Sequence, residues 1–278
     1  MLYICATPIG NMQDISLRAL EVLKNADIIL CEDTRNSQKL LSYHSIKAKK
    51  LVALHEHNEN DIAQKVVEWL DDDLNIVQIS DAGTPGISDP GARLCKVLFE
   101  NGKVATPLPG ACAYISLLSV SGVLSNEHLF IGFLPSKSSH RIKELERYQD
   151  NQCPVIFYES PHRIVDCIKD IVKVCGDERE LVVGREMTKM FETIKRDNAV
   201  NILQFIESDA NQQKGEFVII LLPKVEDKDV TNELSIKHKE IIQLLAKELP
   251  PKKAAQIAAQ VLDLDKQTIY DYIVSTKK

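Results

Sequence analysis

No apolar run in this 278-residue chain approaches the roughly 18 residues that a membrane span requires. The amino terminus, Met1-Leu2-Tyr3-Ile4-Cys5, carries neither the basic region nor the long apolar stretch of a secretory signal, so a cytoplasmic location is expected. Seven cysteines are scattered without a single Cys-x-x-Cys pair. That argues against a zinc site or a disulfide frame and fits a reducing compartment. Aromatic residues make up 5% of the chain, too few for extensive stacking of bases on side chains. Two phosphate-binding signatures are absent as well. No G-x-G-x-x-G follows the first apolar run, where Pro8 removes an amide that phosphate would use, and no G-x-x-x-x-G-K-[ST] occurs. A phosphate-cradling nucleotide enzyme is thereby disfavoured, whereas an adenosine ligand without phosphates stays open.

What remains is an ordinary globular composition, 44% apolar and 27% charged, enough for one large or two ordinary domains with a real core. The net charge of −6 is uneven. Residues 235–278 hold eight lysines against five acids, a balance of +3, which leaves −9 on residues 1–234. A basic tail on an acidic body suggests a localised polyanion contact, with a solvated helical surface as the competing reading.

The first 115 or so residues repeat one phrase of apolar strand, polar loop and amphipathic helix. Leu2–Ala6 leads into Thr7-Pro8-Ile9-Gly10-Asn11, Ile28–Cys31 into Glu32-Asp33-Thr34-Arg35-Asn36, and Leu51–Leu54 into His55-Glu56-His57-Asn58. Ile76–Ile79 and Lys103–Leu108 continue the series. Alternation of this kind predicts an α/β fold with a mostly parallel sheet and loops gathered at one edge. A second α/β domain with a mixed sheet is expected over 123–223, from strands His128–Leu134, Val155–Glu159, Leu181–Arg185 and Phe217–Leu222 and helices near 139–149, 161–174 and 198–208. The organisation is therefore domain 1–122, domain 123–223 with a ligand cleft between the two, a polar linker 224–234, and a helical, helix-turn-helix-like appendage 235–278. Its helices are expected over 236–249, 252–262 and 266–274.

The densest functional signal is Asn75 to Gly91. An apolar strand breaks into a loop in which Gly83, Gly86 and Gly91 permit backbone angles closed to other residues while Pro85 and Pro90 restrict theirs. Such a rigid corner at the carboxyl end of a strand is where open α/β sheets place ligands. An elaborate turn is the bland alternative.

The ordered set of loops, continuing with Pro107-Leu108-Pro109-Gly110, Phe157-Tyr158-Glu159-Ser160-Pro161-His162-Arg163, Gly184-Arg185-Glu186-Met187-Thr188-Lys189 and Gly215-Glu216-Phe217, closely resembles the tetrapyrrole-methylase superfamily. The likeness is to its branch that methylates small-subunit ribosomal RNA. It covers essentially the whole chain, including Leu249-Pro250-Pro251-Lys252-Lys253 in the tail. The resemblance implies an S-adenosylmethionine-dependent enzyme that methylates a cytidine ribose 2′-hydroxyl in small-subunit (16S) ribosomal RNA. It further implies a homodimer, with the cofactor in the interdomain cleft. Carried over by position, the cofactor's neighbours are Pro8, Gly10, Gly83, Thr84, Ile87, Gly110, Cys112 and Ala113, with Tyr158, Arg185 and Glu216 from the second domain. Ala111-Cys112-Ala113 stands where that family often has Pro-Ser-Ala, which weakens a hydroxyl role at Cys112.

A ribose hydroxyl is a poor nucleophile until its proton is drawn away. Asp33 and Glu159 are the candidate proton acceptors, and Arg35, Arg163, Arg185 and Lys189 the candidates for holding phosphate or developing charge. Pairing of those carboxylates with those cations is the competing reading. His55-Glu56-His57 lacks further ligands at a recognisable spacing, so no metal is expected. Lys137, His140, Arg141 and Lys143 are candidate contacts to RNA phosphates or a 30S particle, with Lys252 and Lys253 as a second anchor. Two other readings compete: a methyltransferase acting on a small acidic macrocycle, and a non-catalytic ribosome-assembly factor.

Overall fold

Short apolar strands alternating with amphipathic helices produce the expected parallel sheet. The computed structural model describes residues 1–224, 234, 236–262 and 264–276. The strands β1 (Leu2–Cys5), β2 (Ile28–Cys31), β3 (Leu51–Ala53), β4 (Ile76–Ile79) and β5 (Thr106–Leu108) form one sheet in the order β3-β2-β4-β1-β5, every pair parallel. Between them run α1 (Leu17–Asn25), α2 (Thr34–Tyr43), α3 (Glu59–Asp71) and α4 (Ala92–Glu100), and α5 (Ala113–Val120) follows. All residues of β2 and β4 are buried because helices cover both faces, which is why these strands read as unbroken apolar runs. On one face Leu23, Leu40 and Leu41 pack over Cys5, Ile29 and Val77. On the other, Ile62, Val66, Leu94 and Leu98 pack over Leu2, Leu30 and Ile76.

The second sheet comprises β6 (Leu129–Phe133), β7 (Val155–Glu159), β8 (Glu180–Arg185), β9 (Thr193–Asn198) and β10 (Phe217–Leu221), in the order β6-β7-β10-β8-β9. Only β6 and β7 are parallel, so the sheet is mixed. Helices α6 (Ser138–Tyr148), α7 (Ile164–Cys175) and α8 (Ala199–Ser208) contribute Leu145, Ile168 and Ile202 to the core on one face. On the opposite face Ile156, Val182, Val218 and Ile220 meet Leu117 of α5, Ile9 of the first loop and Met187. That shared core joins the two sheets. The edge strand β9 has no counterpart in the expectations above. Its sequence, Thr-Ile-Lys-Arg-Asp-Asn, is polar because one side of an edge strand stays in water.

The chain divides into two compact units, Met1–Lys224 and Val225–Lys278. The second holds α9 (Ile236–Glu248), α10 (Pro251–Leu262) and α11 (Lys266–Ser275) around Ile242, Ile269 and Ile273. Ala254, Ala255 and Ala258 are fully buried there, and their small side chains let the helices approach closely. Apart from Lys224 and Leu234, the expected linker 224–234 lies outside the described residues. Among the described residues no helix is long and apolar enough to cross a membrane.

Candidate active site

The corners after β1, β2 and β4 and the start of α5 face the second sheet across a cavity of about 410 Å³, within the range that small-molecule sites occupy. Three of these corners are tied together. Thr7 and Gly83 exchange backbone hydrogen bonds of 2.8 and 3.0 Å. The Thr7 hydroxyl donates to the Ser80 carbonyl at 3.0 Å, and that of Ser80 to the Gly83 carbonyl at 2.9 Å. The Thr84 hydroxyl donates to the Ala111 carbonyl at 3.0 Å, linking the fourth corner to the entry of α5. Polar groups of the corners are thus satisfied by one another, which holds the cavity floor without help from a ligand.

The floor is Asp81 to Thr84 and Ile87 to Asp89, flanked by Ile9, Glu32, Cys112 and Ala113. The second lobe supplies Phe133, Tyr158, Met187, Glu216 and Val218. Tyr158 is held edge-on between Phe130 and Phe133, with centroids 5.1 and 5.5 Å away. The polar lining is acidic. Burial, then the nearby charges of Glu32 and Asp81, push the Asp89 carboxyl up to about 7. Burial and Asp81 also raise Glu32. Burial, followed by Cys112, raises the Tyr158 hydroxyl above its ordinary range. Apolar walls beside three crowded carboxyls suit a ligand with a flat apolar body and a positive charge, and disfavour an anionic one. S-adenosylmethionine, a nucleoside without phosphates that carries a sulfonium, has that chemistry.

Of the residues expected at the cofactor, Gly83, Thr84, Ile87, Cys112, Ala113, Tyr158 and Glu216 line this cavity. Pro8, Gly10, Gly110 and Arg185 do not. Gly10 serves the joint between lobes: a Cβ there would lie 2.4 Å from Cγ of Lys189 and 3.0 Å from the Met187 carbonyl. Gly110 packs directly on Ala6.

Members of the expected catalytic set are held by partners of their own. Asp33 caps α2 and pairs with Arg35 at 2.8 Å, and hydrogen bonds from Arg35 lower its carboxyl to about 2. Arg35 is 86% exposed and borders no part of the cavity. Glu159 reaches the cavity rim, but alternation along β7 sends its carboxylate to the sheet face of Val155 and Phe157, opposite Tyr158. There it pairs with Arg163 at 2.6 Å and accepts from the Ser160 amide at 2.7 Å; burial first, and then this carboxylate, raise the Cys167 thiol. Arg185 is buried and donates to the carbonyls of Lys214, Phe191 and Asn211, each at 2.8 Å. Lys189 is held by Glu186 at 2.8 Å and Glu216 at 2.9 Å. Each of these cations already has its partners. Arg141, expected at RNA phosphates, is instead 2% exposed and paired with Asp170 at 2.8 Å. Lys137, His140 and Lys143 are exposed on or beside α6.

Glu32, Asp81 and Asp89, together with Ile9, Phe133, Met187 and Val218, were not singled out from the sequence. The three acids lie within loops whose turn residues mark them, but nothing local shows that they converge. The corner His55 to Asn58 does not border the cavity. Among the described residues no group of three or more His, Cys, Asp or Glu is arranged to hold a metal.

Comparison with known proteins agrees with this geometry. The profile of the tetrapyrrole (corrin/porphyrin) methylases matches residues 1–202, and that of the RsmI C-terminal HTH domain matches residues 232–277. The chain belongs to the tetrapyrrole methylase family, and it is a methyltransferase. Two solved structures share the fold. One is a cobalamin biosynthetic enzyme, cobalt precorrin-4 methyltransferase, with a TM-score of 0.57 and 16% identity over 79% of this chain and 93% of that one. The other is uroporphyrin III C-methyl transferase from Thermus thermophilus, with a TM-score of 0.55 and 15% identity over 79% and 96% of the respective chains. Within the family, the chain is similar to proteins named ribosomal RNA small subunit methyltransferase I. It is 46% identical to that of Haemophilus influenzae over 98% of this chain and 95% of the relative. Identity to that of Pasteurella multocida is 45%, over 98% and 96%, and to that of Escherichia coli O157:H7 it is 43%, over 98% and 93%.

Proposed function

We propose that this chain transfers a methyl group from S-adenosylmethionine to the ribose 2′-hydroxyl of a cytidine in small-subunit ribosomal RNA. The observation that carries the reading is an acid-lined, apolar-walled cavity in a methyltransferase whose full-length relatives bear a ribosomal RNA name. S-adenosylmethionine, when bound, supplies a methyl group already activated by its sulfonium. Ile9, Ile87, Tyr158, Met187 and Val218 would wall its apolar parts, and Gly83, Thr84, Cys112, Ala113 and Glu216 would complete its surroundings. Glu32, Asp81 and Asp89 favour positive charge there.

The chain's own residues must then align the hydroxyl and take its proton. Asp89 is the lining carboxyl tuned near neutrality, which suits it to accept that proton. Asp33 and Glu159 act in this reading as structural ion-pair members. Exposed Lys137, His140 and Lys143 serve RNA phosphates, with Lys252 and Lys253 as a second contact. The catalytic body is read as lobes 1–122 and 123–223, the enzyme as a cytoplasmic homodimer, and its substrate as ribosomal RNA or the 30S particle.

Calorimetric titration with S-adenosylmethionine, followed by methyl transfer to small subunits from cells lacking this gene, tests the reading. One ribose methylation mapped by mass spectrometry to a 16S cytidine is expected. Transfer to porphyrinoids in place of RNA, or no donor binding, would refute it.

A further inference from the structure

The third polar corner lies off the cavity, yet the residue that follows it is hydrogen-bonded to the end of the loop that floors the cavity. Asn58 folds that corner, accepting from the His55 amide at 2.9 Å and donating to the Ala53 carbonyl at 3.0 Å. The next residue, Glu59, opens α3 and is 4% exposed. Its Oε1 accepts three amide hydrogen bonds, from Gly91 and Arg93 at 2.9 Å and from Leu94 at 3.0 Å. These amides begin α4, a helix with Gly91 at its cap position and no capping side chain of its own. Glu59 therefore does from a neighbouring helix what a cap residue does locally, and its charge suits the positive end of α4.

The second anchor comes from β4. Gln78, 1% exposed, donates from Nε2 to the Pro90 carbonyl at 2.8 Å. It also fills the space beside Gly91, where a Cβ would come within 2.5 Å of that nitrogen. The Gly86 amide donates to the same Pro90 carbonyl at 3.1 Å, carrying the anchorage into the loop. Within the segment Gly91 meets φ 137° freely as a glycine, whereas Ser88 adopts φ 62°, a conformation uncommon for a residue with a side chain. Such a conformation persists only where its surroundings over-determine it. Ile87, Ser88 and Asp89 line the cavity, whereas neither Glu59 nor Gln78 does.

We propose that Glu59 and Gln78 are positioning residues for the methyl-donor site, holding the segment 86–91 in the shape that presents Ile87 and Asp89. The proposal rests on the cavity being that site. The test compares the wild-type protein with Glu59→Gln and Gln78→Met. Glu59→Gln keeps the side chain's shape but removes the charge facing three amides. As a control, Glu68→Gln alters an exposed acid on the same helix. Hydrogen exchange without ligand should quicken about tenfold at Gly91, Arg93 and Leu94 in Glu59→Gln, the scale expected for loss of a charged acceptor. Exchange should quicken across 86–91 in both variants.

The S-adenosylmethionine Kd should rise about tenfold in both, kcat at saturating donor should fall because the same segment presents Asp89, and the KM for small subunits should stay unchanged. The control should move neither readout. A lower Tm with exchange at 86–91 and Kd both unchanged would reduce Glu59 to a purely structural role and overturn the proposal. So would faster exchange with an unchanged Kd. Should the variants fail to fold, wild-type exchange still decides, since amides 91, 93 and 94 exchanging like exposed loop amides would contradict the anchorage. If wild-type protein does not bind the donor, the donor-site reading fails, whereas the ligand-free exchange reports on the anchorage alone.

Discussion

Arg185→Met removes the guanidinium that closes the end of β8 while keeping most of the apolar stem. In the native protein that group is buried and meets three carbonyl oxygens, of Lys214, Phe191 and Asn211, each at 2.8 Å, and the Thr193 hydroxyl at 3.3 Å. The substitution leaves the three carbonyls without that donor. A buried acceptor left unsatisfied costs about 1–3 kcal/mol, and water can reach part of this site, so a total of about 3–5 kcal/mol is expected. In a unit of this size each kcal/mol lowers Tm by about 2–4 °C, which gives a fall of about 6–20 °C. Arg185→Lys should fall between, because one ammonium cannot reproduce a planar fork directed at three carbonyls. Thermal unfolding followed by circular dichroism measures the shift, and calorimetry at 15 °C measures donor affinity in the folded remainder. Affinity within about threefold of wild type is expected, since the side chain lies off the cavity. A wild-type Tm combined with lost turnover would refute the structural assignment and restore Arg185 to the chemistry.

Asp89 makes the protein pH-dependent with a definite sign. Folded, it keeps its proton up to about pH 7, whereas the unfolded chain gives it up near the ordinary value of 3.8. Its contribution to stability is therefore full below that ordinary value, is lost as pH rises towards 7, and is flat above. Asp89→Asn should remove this slope and raise Tm at pH 8 but not at pH 4. Donor binding should tighten as pH rises through 7 in wild type and stay flat in Asp89→Asn, because only the ionised carboxylate attracts a cation; a titration series checks this. Arg141→Met should cost about 3–5 kcal/mol in urea unfolding by stranding Asp170, and pairing it with Asp170→Leu should recover much of the loss. Lys252→Ala with Lys253→Ala should leave donor Kd unchanged, weaken small-subunit binding and reduce the slope of log K against log salt by about one per lysine. A salt-independent wild type would refute the phosphate contacts.

Much of the architecture was legible because its determinants are local. Apolar runs such as Ile28–Cys31 and Ile76–Ile79, ended by turn residues, mark strands wherever the chain ultimately places them. The helices of the appendage, observed over Ile236–Glu248, Pro251–Leu262 and Lys266–Ser275, lie within a residue of their expected limits for the same reason. Strand β9 escaped because an edge strand needs little apolar surface, and its pairing with β8 is a long-range event. The loop from Ser80 to Gly91 announced a constrained corner, and it forms the cavity floor.

Roles within the site were a different matter. Asp33, Glu159, Arg163, Arg185 and Lys189 are chemically suited to catalysis, and sequence supplies only that suitability. Whether a carboxylate is a base or half of an ion pair depends on which cation lies within about 3 Å of it and on which side of a strand it points. Glu159 and Tyr158 are neighbours in sequence, yet they occupy opposite faces of one sheet. Conversely Glu32 comes from the corner after β2 and Asp81 and Asp89 from the corner after β4, and the three acquire their shared electrostatics only on folding. Periodicity and turn chemistry act over a few residues and so survive in the bare sequence, where they specify strands, helices and the corner that floors the cavity. Proton affinity, charge pairing and the anchoring of that corner by Glu59 and Gln78 arise from burial and from contacts between distant segments, and only the folded chain assembles those.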